Sequence, residues 1–142
     1  MQYDSFVTHN IDMYMGKPKS GKTTIAGTYP KPLLYVSVGN DGGGRVLAKT
    51  QGIFVKNLRN DFVRKKTTIE LLAEILAELR KPGADKFKTI VIDTIGALQD
   101  DYKQYLEFTK GGRALSQQEW GDVSKMMLSI KDTMKRFSEE MG

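Results

Sequence analysis

Cysteine is absent from this 142-residue chain. Disulfides and thiolate metal sites are therefore excluded, and a reducing compartment such as the cytoplasm is the simpler home. The single histidine, His9, leaves little for a histidine-based metal site. No apolar run approaches the roughly 20 residues of a membrane span, so no membrane partner is expected. The first ten residues, MQYDSFVTHN, are polar and lack the apolar core of an export signal. Charge of one sign is not in large excess either: 22 Lys and Arg stand against 17 acids, a formal net charge of +5. That mild excess permits contact with nucleic acid or nucleotide phosphate without establishing it, and a solvated basic surface is the plainer account. The sequence contains no internal repeat, low-complexity tract or Ser/Gly linker.

What is present is the composition of one ordinary soluble domain, with 39% hydrophobic and 27% charged residues. Short apolar runs bounded by turn residues read as buried strands: Ile11–Met15, Leu33–Val38, Thr89–Ile92 and, more weakly, Ile53–Val55. Helical patterns lie between them. Thr23–Tyr29 reads as a short helix. Thr67–Arg80 opens on a capping-box spacing, Thr67 with Glu70, and carries an apolar stripe of Ile69, Leu72, Ile75, Leu76 and Leu79 before Pro82 and Gly83 stop it. Ala97–Phe108 is a further helix. The last spans Gln117–Glu140 behind a second capping-box pattern, Ser116 with Glu119, and its stripe of Trp120, Val123, Met127, Ile130, Met134 and Phe137 reads as core. Strands alternating with helices predict βαβ units around a mostly parallel sheet, an α/β fold in one domain over residues 1–142.

Between the first strand and the first helix stands GKPKSGKTT, residues 16–24, which fits G-x-x-x-x-G-K-[ST] through Gly16, Gly21, Lys22 and Thr23. Glycines let backbone N–H groups turn toward an anion, and the helix N-terminus behind them favours phosphate. In this Walker A pattern the cradle is formed by Gly16, Lys17, Pro18, Lys19, Ser20, Gly21, Lys22, Thr23 and Thr24; Lys22 reaches the β- and γ-phosphates and the Thr23 hydroxyl ligates Mg²⁺. Far downstream, Thr89–Asp93 (TIVID) is an apolar strand ending in a carboxylate, the Walker B arrangement that holds the same Mg²⁺. An apolar strand ending in Asp is common by itself; with residues 16–24 it makes a pair. ATP and Mg²⁺ are the expected ligands.

Three P-loop classes compete. Asp93-Thr94-Ile95-Gly96 fits the D-x-x-G of a GTPase, but no Asn is followed by Lys, so the base-reading N-K-x-D is missing. A small-molecule kinase needs an arginine-rich lid, whereas Arg59, Arg64, Arg113 and Arg136 are scattered. The third class is a RecA-like ATPase. IVIDTIGAL, residues 90–98, resembles the RecA pattern of apolar strand, Asp, Ser or Thr, then Ala-Leu. Ala26-Gly27-Thr28-Tyr29-Pro30-Lys31-Pro32-Leu33-Leu34, then Asp41-Gly42-Gly43, and Gln118-Glu119-Trp120-Gly121 resemble, in order, a phage and prophage family of RecA-like nucleotide-binding proteins often grouped as AAA ATPases. The likeness runs from about Ile11 to Phe137.

That resemblance implies a three-layer RecA-like P-loop fold, ATP hydrolysis, action on single-stranded DNA in recombination or replication, homo-oligomeric assembly and the cytoplasm of a bacterial host. It puts Lys22, Asp93, Asp41 and Thr94 in catalytic positions, and Thr23 and Asp93 at the metal. RecA-like enzymes place a water-activating Glu after the second strand; here residues 37–41 read SVGND, so Asp41 is the nearest candidate and is equally a plain turn residue. Thr94 would face the γ-phosphate, or simply cap the next helix. A DNA-contacting loop is expected at Tyr105–Leu115, where Lys110, Arg113 and Phe108 offer cations and a stacking ring, though an ordinary basic loop has the same composition. Arg64-Lys65-Lys66 reads as solvated surface. The strand that carries a γ-phosphate sensor in RecA-like folds, between the phosphate-loop strand and the Walker B strand, is not in the sequence, so truncation of a longer domain is expected. That bears on hydrolysis more than on binding, and a non-hydrolysing nucleotide switch stays open.

Overall fold

A computed structural model of the chain describes residues 25, 27–39, 49–84 and 86–140. Its centre is β1, Leu33–Val38 (LLYVSV), buried at all six positions. A strand covered on both faces must be apolar throughout, and this one is, apart from the Ser37 hydroxyl and the Tyr35 phenol. Gly39 ends it at φ +83°, a left-handed conformation that other residues rarely adopt.

Two strands pair with β1 in parallel, giving the order β2-β1-β3. β2 is Ile53–Leu58 and β3 is Thr89–Asp93. The register sets Leu33 opposite Ile53 and Thr89, and Ser37 opposite Asn57 and Asp93. β2 runs three residues beyond the Ile53–Val55 expected from sequence. Lys56 and Asn57 hid it: they are polar, but β2 pairs on one side only among the described residues, and both side chains are exposed.

Three helices follow: α1 at Thr68–Leu79, α2 at Ile95–Thr109 and α3 at Gln117–Glu140. The Thr67 hydroxyl accepts from the Glu70 N–H at 3.2 Å, as its spacing predicted. At α3 the Ser116 hydroxyl accepts from the Glu119 N–H at 3.3 Å and donates to the Glu119 carboxylate at 3.0 Å. All three helices pack on one face of the sheet. Leu34, Val36, Val38 and Leu58 meet Leu72 and Leu76 of α1, Leu98 of α2, and Met127, Ile130 and Phe137 of α3. The α3 stripe is therefore core, except that Trp120 remains 40% exposed with Lys103 over its ring. Arg80 fastens the far ends of α1 and α3, pairing with Glu140 at 3.1 Å and lying over the Phe137 ring.

Leu33, Tyr35 and Ile53 are buried on the opposite face, with Tyr29 packed against them. Ile25 and Gly27, just before Tyr29, have helical backbone. The Thr89 hydroxyl donates to the Pro30 carbonyl at 2.8 Å and the Lys88 N–H to the Pro32 carbonyl at 2.8 Å, so the segment entering β1 is tied to the start of β3. The expected strand Ile11–Met15 and the start of the helix expected over 23–29 lie outside the described residues.

Candidate nucleotide and metal site

Asp93 is the last residue of β3 and sits opposite Ser37. Alternation along the strand puts it on the face that carries Tyr35, not the face under the three helices. The Tyr35 hydroxyl donates to Asp93 Oδ2. Tyr35 is fully buried, whereas the Asp93 carboxylate is half-buried and has no ion pair with any described Lys or Arg. A carboxylate with no basic partner among the described residues is a suitable donor for a hard divalent cation. Among the described residues no group of three or more His, Cys, Asp or Glu forms a metal cage. A cation here would take its remaining ligands from water, phosphate or other parts of the chain, as Mg²⁺ commonly does.

Directly after Asp93, Thr94 caps α2. Its hydroxyl oxygen accepts from the Ala97 N–H at 3.0 Å. The capping reading of Thr94 therefore holds, and it starts α2 two residues earlier than the pattern over 97–108 suggested. The peptides Asp93–Thr94 and Lys31–Pro32 are cis. The cap starts α2 directly after Asp93 in the chain.

Gly16, Lys17, Pro18, Lys19, Ser20, Gly21, Lys22, Thr23, Thr24 and Asp41 lie outside the described residues. What is described is the segment that follows the first nine of them: Tyr29 packs on Leu33, Tyr35 and Ile53, the face that also bears Asp93.

The expected loop at 105–115 is shorter than read. Tyr105 through Thr109 complete α2, and the turn begins at Lys110, where Gly111 and Gly112 take φ of +71° and +85°. The Gly112 N–H returns to the Glu107 carbonyl at 2.8 Å. The helix expected over 97–108 therefore overlaps the first residues of that loop, and it ends one residue later, at Thr109. Lys110 pairs with Glu119 at the start of α3, while Arg113 is exposed with no ion pair among the described residues. Phe108 is 61% exposed and its ring meets Phe62 at 4.8 Å. Thus Lys110, Arg113 and Phe108 share one region, but Lys110 is already neutralised.

Two elements escaped sequence reasoning. Tyr35 carried a faint signal, one phenol in a strand whose only other polar side chain is Ser37. The other is a polar node around Asn60. Its amide oxygen accepts from the Thr68 N–H at 2.9 Å, satisfying a free donor of the first turn of α1, and its amide nitrogen donates to the Asp101 carbonyl at 2.6 Å. The Thr68 hydroxyl donates to Asp101 Oδ2 at 2.7 Å. Three residues far apart in sequence thus fix the end of β2, the start of α1 and the middle of α2. Close by on α2, burial pushes the Tyr102 phenol above its ordinary pKa of 10.0, with Asp122 and Glu70 adding to the shift.

Residues 11–141 match a family model described as AAA domain. The chain belongs to the AAA domain family. That membership makes it a nucleotide-binding, ATPase-type module, and it places both residues 16–24 and Asp93 inside the matched segment. No significant match exists among curated proteins or among solved structures. The AAA domain has, among its described residues, no helix long and apolar enough to cross a membrane.

Proposed function

We propose that this AAA domain binds ATP–Mg²⁺ between residues 16–24 and Asp93 and hydrolyses it in RecA-like fashion, acting on single-stranded DNA in recombination or replication. The observation that carries the nucleotide reading is Asp93: a half-buried carboxylate at the end of a parallel strand, bonded by Tyr35, with no ion pair to a described Lys or Arg, on the face where Tyr29 packs. In this reading Lys22 contacts the β- and γ-phosphates, Thr23 and Asp93 hold the metal, and Thr94 stands beside the γ-phosphate. Bound Mg²⁺ would neutralise charge that develops on the transferring phosphoryl group. The strand order supports the class. β3 pairs with β1 on one side only among the described residues, which leaves its other side for the sensor and phosphate-loop strands of a RecA-like sheet.

A second reading has its own observation. No Glu follows β1; residues 39–44 read GNDGGG, so water activation falls to the shorter Asp41. A domain that holds ATP without cleaving it would serve as a switch. Turnover decides between them. ATPase activity stimulated by single-stranded DNA and abolished in Lys22→Ala supports the hydrolase. Nucleotide binding without turnover supports the switch. Oligomeric assembly and a phage origin belong to the same proposal and rest on the sequence resemblance alone.

A further inference from the structure

Residues 61–66, DFVRKK, form a closed and well-bonded turn. Asp61 and Lys66 exchange both backbone hydrogen bonds, at 2.8 and 2.9 Å. Asp61 Oδ1 also accepts from the N–H groups of Val63 and Arg64 at 3.1 and 3.0 Å. The Tyr105 hydroxyl, from α2, donates to the Lys65 carbonyl at 3.2 Å. Such a turn is held in shape by its own backbone and not by burial of its side chains. It displays them instead: Phe62 is 43% and Val63 93% exposed, and Arg64 and Lys65 point to solvent.

The displayed ring does not stand alone. Phe62 stacks near-parallel on Tyr105 at 6.0 Å and meets Phe108 at 4.8 Å. Tyr105 and Phe108 are one helical turn apart on α2, so three rings from two segments make one ledge. Monomeric proteins rarely leave such apolar surface in water without a use. Its rim is basic. Lys66 pairs with Glu74, Lys103 with Glu107 and Lys110 with Glu119, but Arg59, Lys65 and Arg113 have no ion pair among the described residues. Arg59 lines, together with Phe62 and Val63, an open cavity of about 500 Å³ beside the ledge. Rings flanked by unpaired cations suit a ligand with planar faces and a negative backbone. A second copy of this chain, itself carrying a net charge of +5, is a poorer match than a polyanion.

We propose that Phe62, Tyr105 and Phe108 form a base-stacking ledge for single-stranded nucleic acid, with Arg59, Lys65 and Arg113 on its phosphates. The proposal rests on the reading that this domain acts on nucleic acid, and it relocates the contact. The centre is the 61–66 turn against α2, and Lys110 takes no part because Glu119 holds it.

The test is fluorescence anisotropy of a labelled oligothymidine with the full chain, in parallel with ATP binding on the same preparations. Phe62→Leu and Phe108→Leu keep apolar bulk but remove the stacking face; each should weaken binding about five- to tenfold. Arg59→Gln and Lys65→Gln should each reduce the slope of log affinity against log salt by about 0.7. Arg136→Gln, an exposed cation on α3 away from the ledge, should change neither the ring-dependent affinity nor ATP binding. Parent binding that all four ledge variants retain, with unchanged slope, overturns the ledge and leaves the nucleic-acid reading to another surface. A change in oligomeric state by light scattering with unchanged oligonucleotide affinity also overturns it, by making the ledge a protein interface. A parent that binds ATP but no oligonucleotide overturns both the ledge and the nucleic-acid reading, while the nucleotide site stands.

Discussion

Replacing Thr68 by Val removes one hydroxyl and leaves the side-chain volume almost unchanged. In the fold that hydroxyl is 1% exposed in residue terms and donates to Asp101 Oδ2 at 2.7 Å. It also lies 3.2 Å from Asn60 Oδ1, but it has one proton, and the shorter contact to a charged acceptor takes it. A hydrogen bond to a charged group contributes about 1.5–3 kcal/mol. Asp101 is only half-buried, so water can replace part of what is lost. The cost should therefore lie near the lower end, about 1.5 kcal/mol. For a domain of this length that is a fall in Tm of about 4–6 °C. The Thr68 N–H to Asn60 bond survives the change, so α1 keeps its start and the far-ultraviolet circular dichroism should not alter. The assay is thermal unfolding of parent and variant at one protein concentration. The same exchange in an Asp101→Asn background should cost clearly less, because the two residues share the bond. A Tm within about 1 °C of the parent, or equal losses in both backgrounds, would refute the reasoning that this node holds α1 against α2.

Other outcomes follow from the same geometry. Tyr35→Phe deletes the donor to Asp93 with little change of shape, so the Mg²⁺ concentration for half-maximal nucleotide binding should rise about three- to tenfold, somewhat below the usual loss for a partner of a metal ligand because Mg²⁺ often meets this carboxylate through water. An unchanged Mg²⁺ midpoint would show that Tyr35 does not position Asp93. The Tyr102 phenol should titrate above 10.0 in the native protein. Because its pKa is raised on folding, its contribution to stability is complete below the unfolded value and lost as pH rises through the folded one. Ultraviolet titration of parent minus Tyr102→Phe reads that step directly, and a step at or below the ordinary tyrosine value contradicts it.

Much of the fold was legible in the sequence, for identifiable reasons. β1 and β3 are nearly continuous apolar runs because both faces of a parallel sheet are covered. α3 was read over its full length because Ser116 and its helical stripe mark both its start and its face. β2 was cut short where Lys56 and Asn57 face solvent, since a strand that pairs on one side only among the described residues need not be apolar. The end of α2 was read to within one residue, Phe108 against Thr109, but its start was placed two residues late because the Thr94 cap could not be told from a site residue. At the candidate site, Asp93 and Thr94 were proposed from a strand-end pattern, and they lie at the end of β3 and at the cap of α2. Tyr35 could not be, since its partner lies 58 residues away. Phe62 was passed over because nothing local says that a turn residue will meet Phe108 on a helix three elements later. Periodicity reports which face a residue shares; it does not report which distant residue it meets.

The central claim is that residues 16–24 and Asp93 hold one ATP–Mg²⁺ together. Equilibrium titration of a fluorescent ATP analogue, with and without Mg²⁺, tests it in the parent, Lys22→Ala and Asp93→Asn chains. The account predicts Mg²⁺-enhanced binding in the parent. It predicts loss of binding in Lys22→Ala, and binding in Asp93→Asn that persists weakly but no longer responds to Mg²⁺. Binding by the parent that ignores both Mg²⁺ and the two substitutions would contradict it.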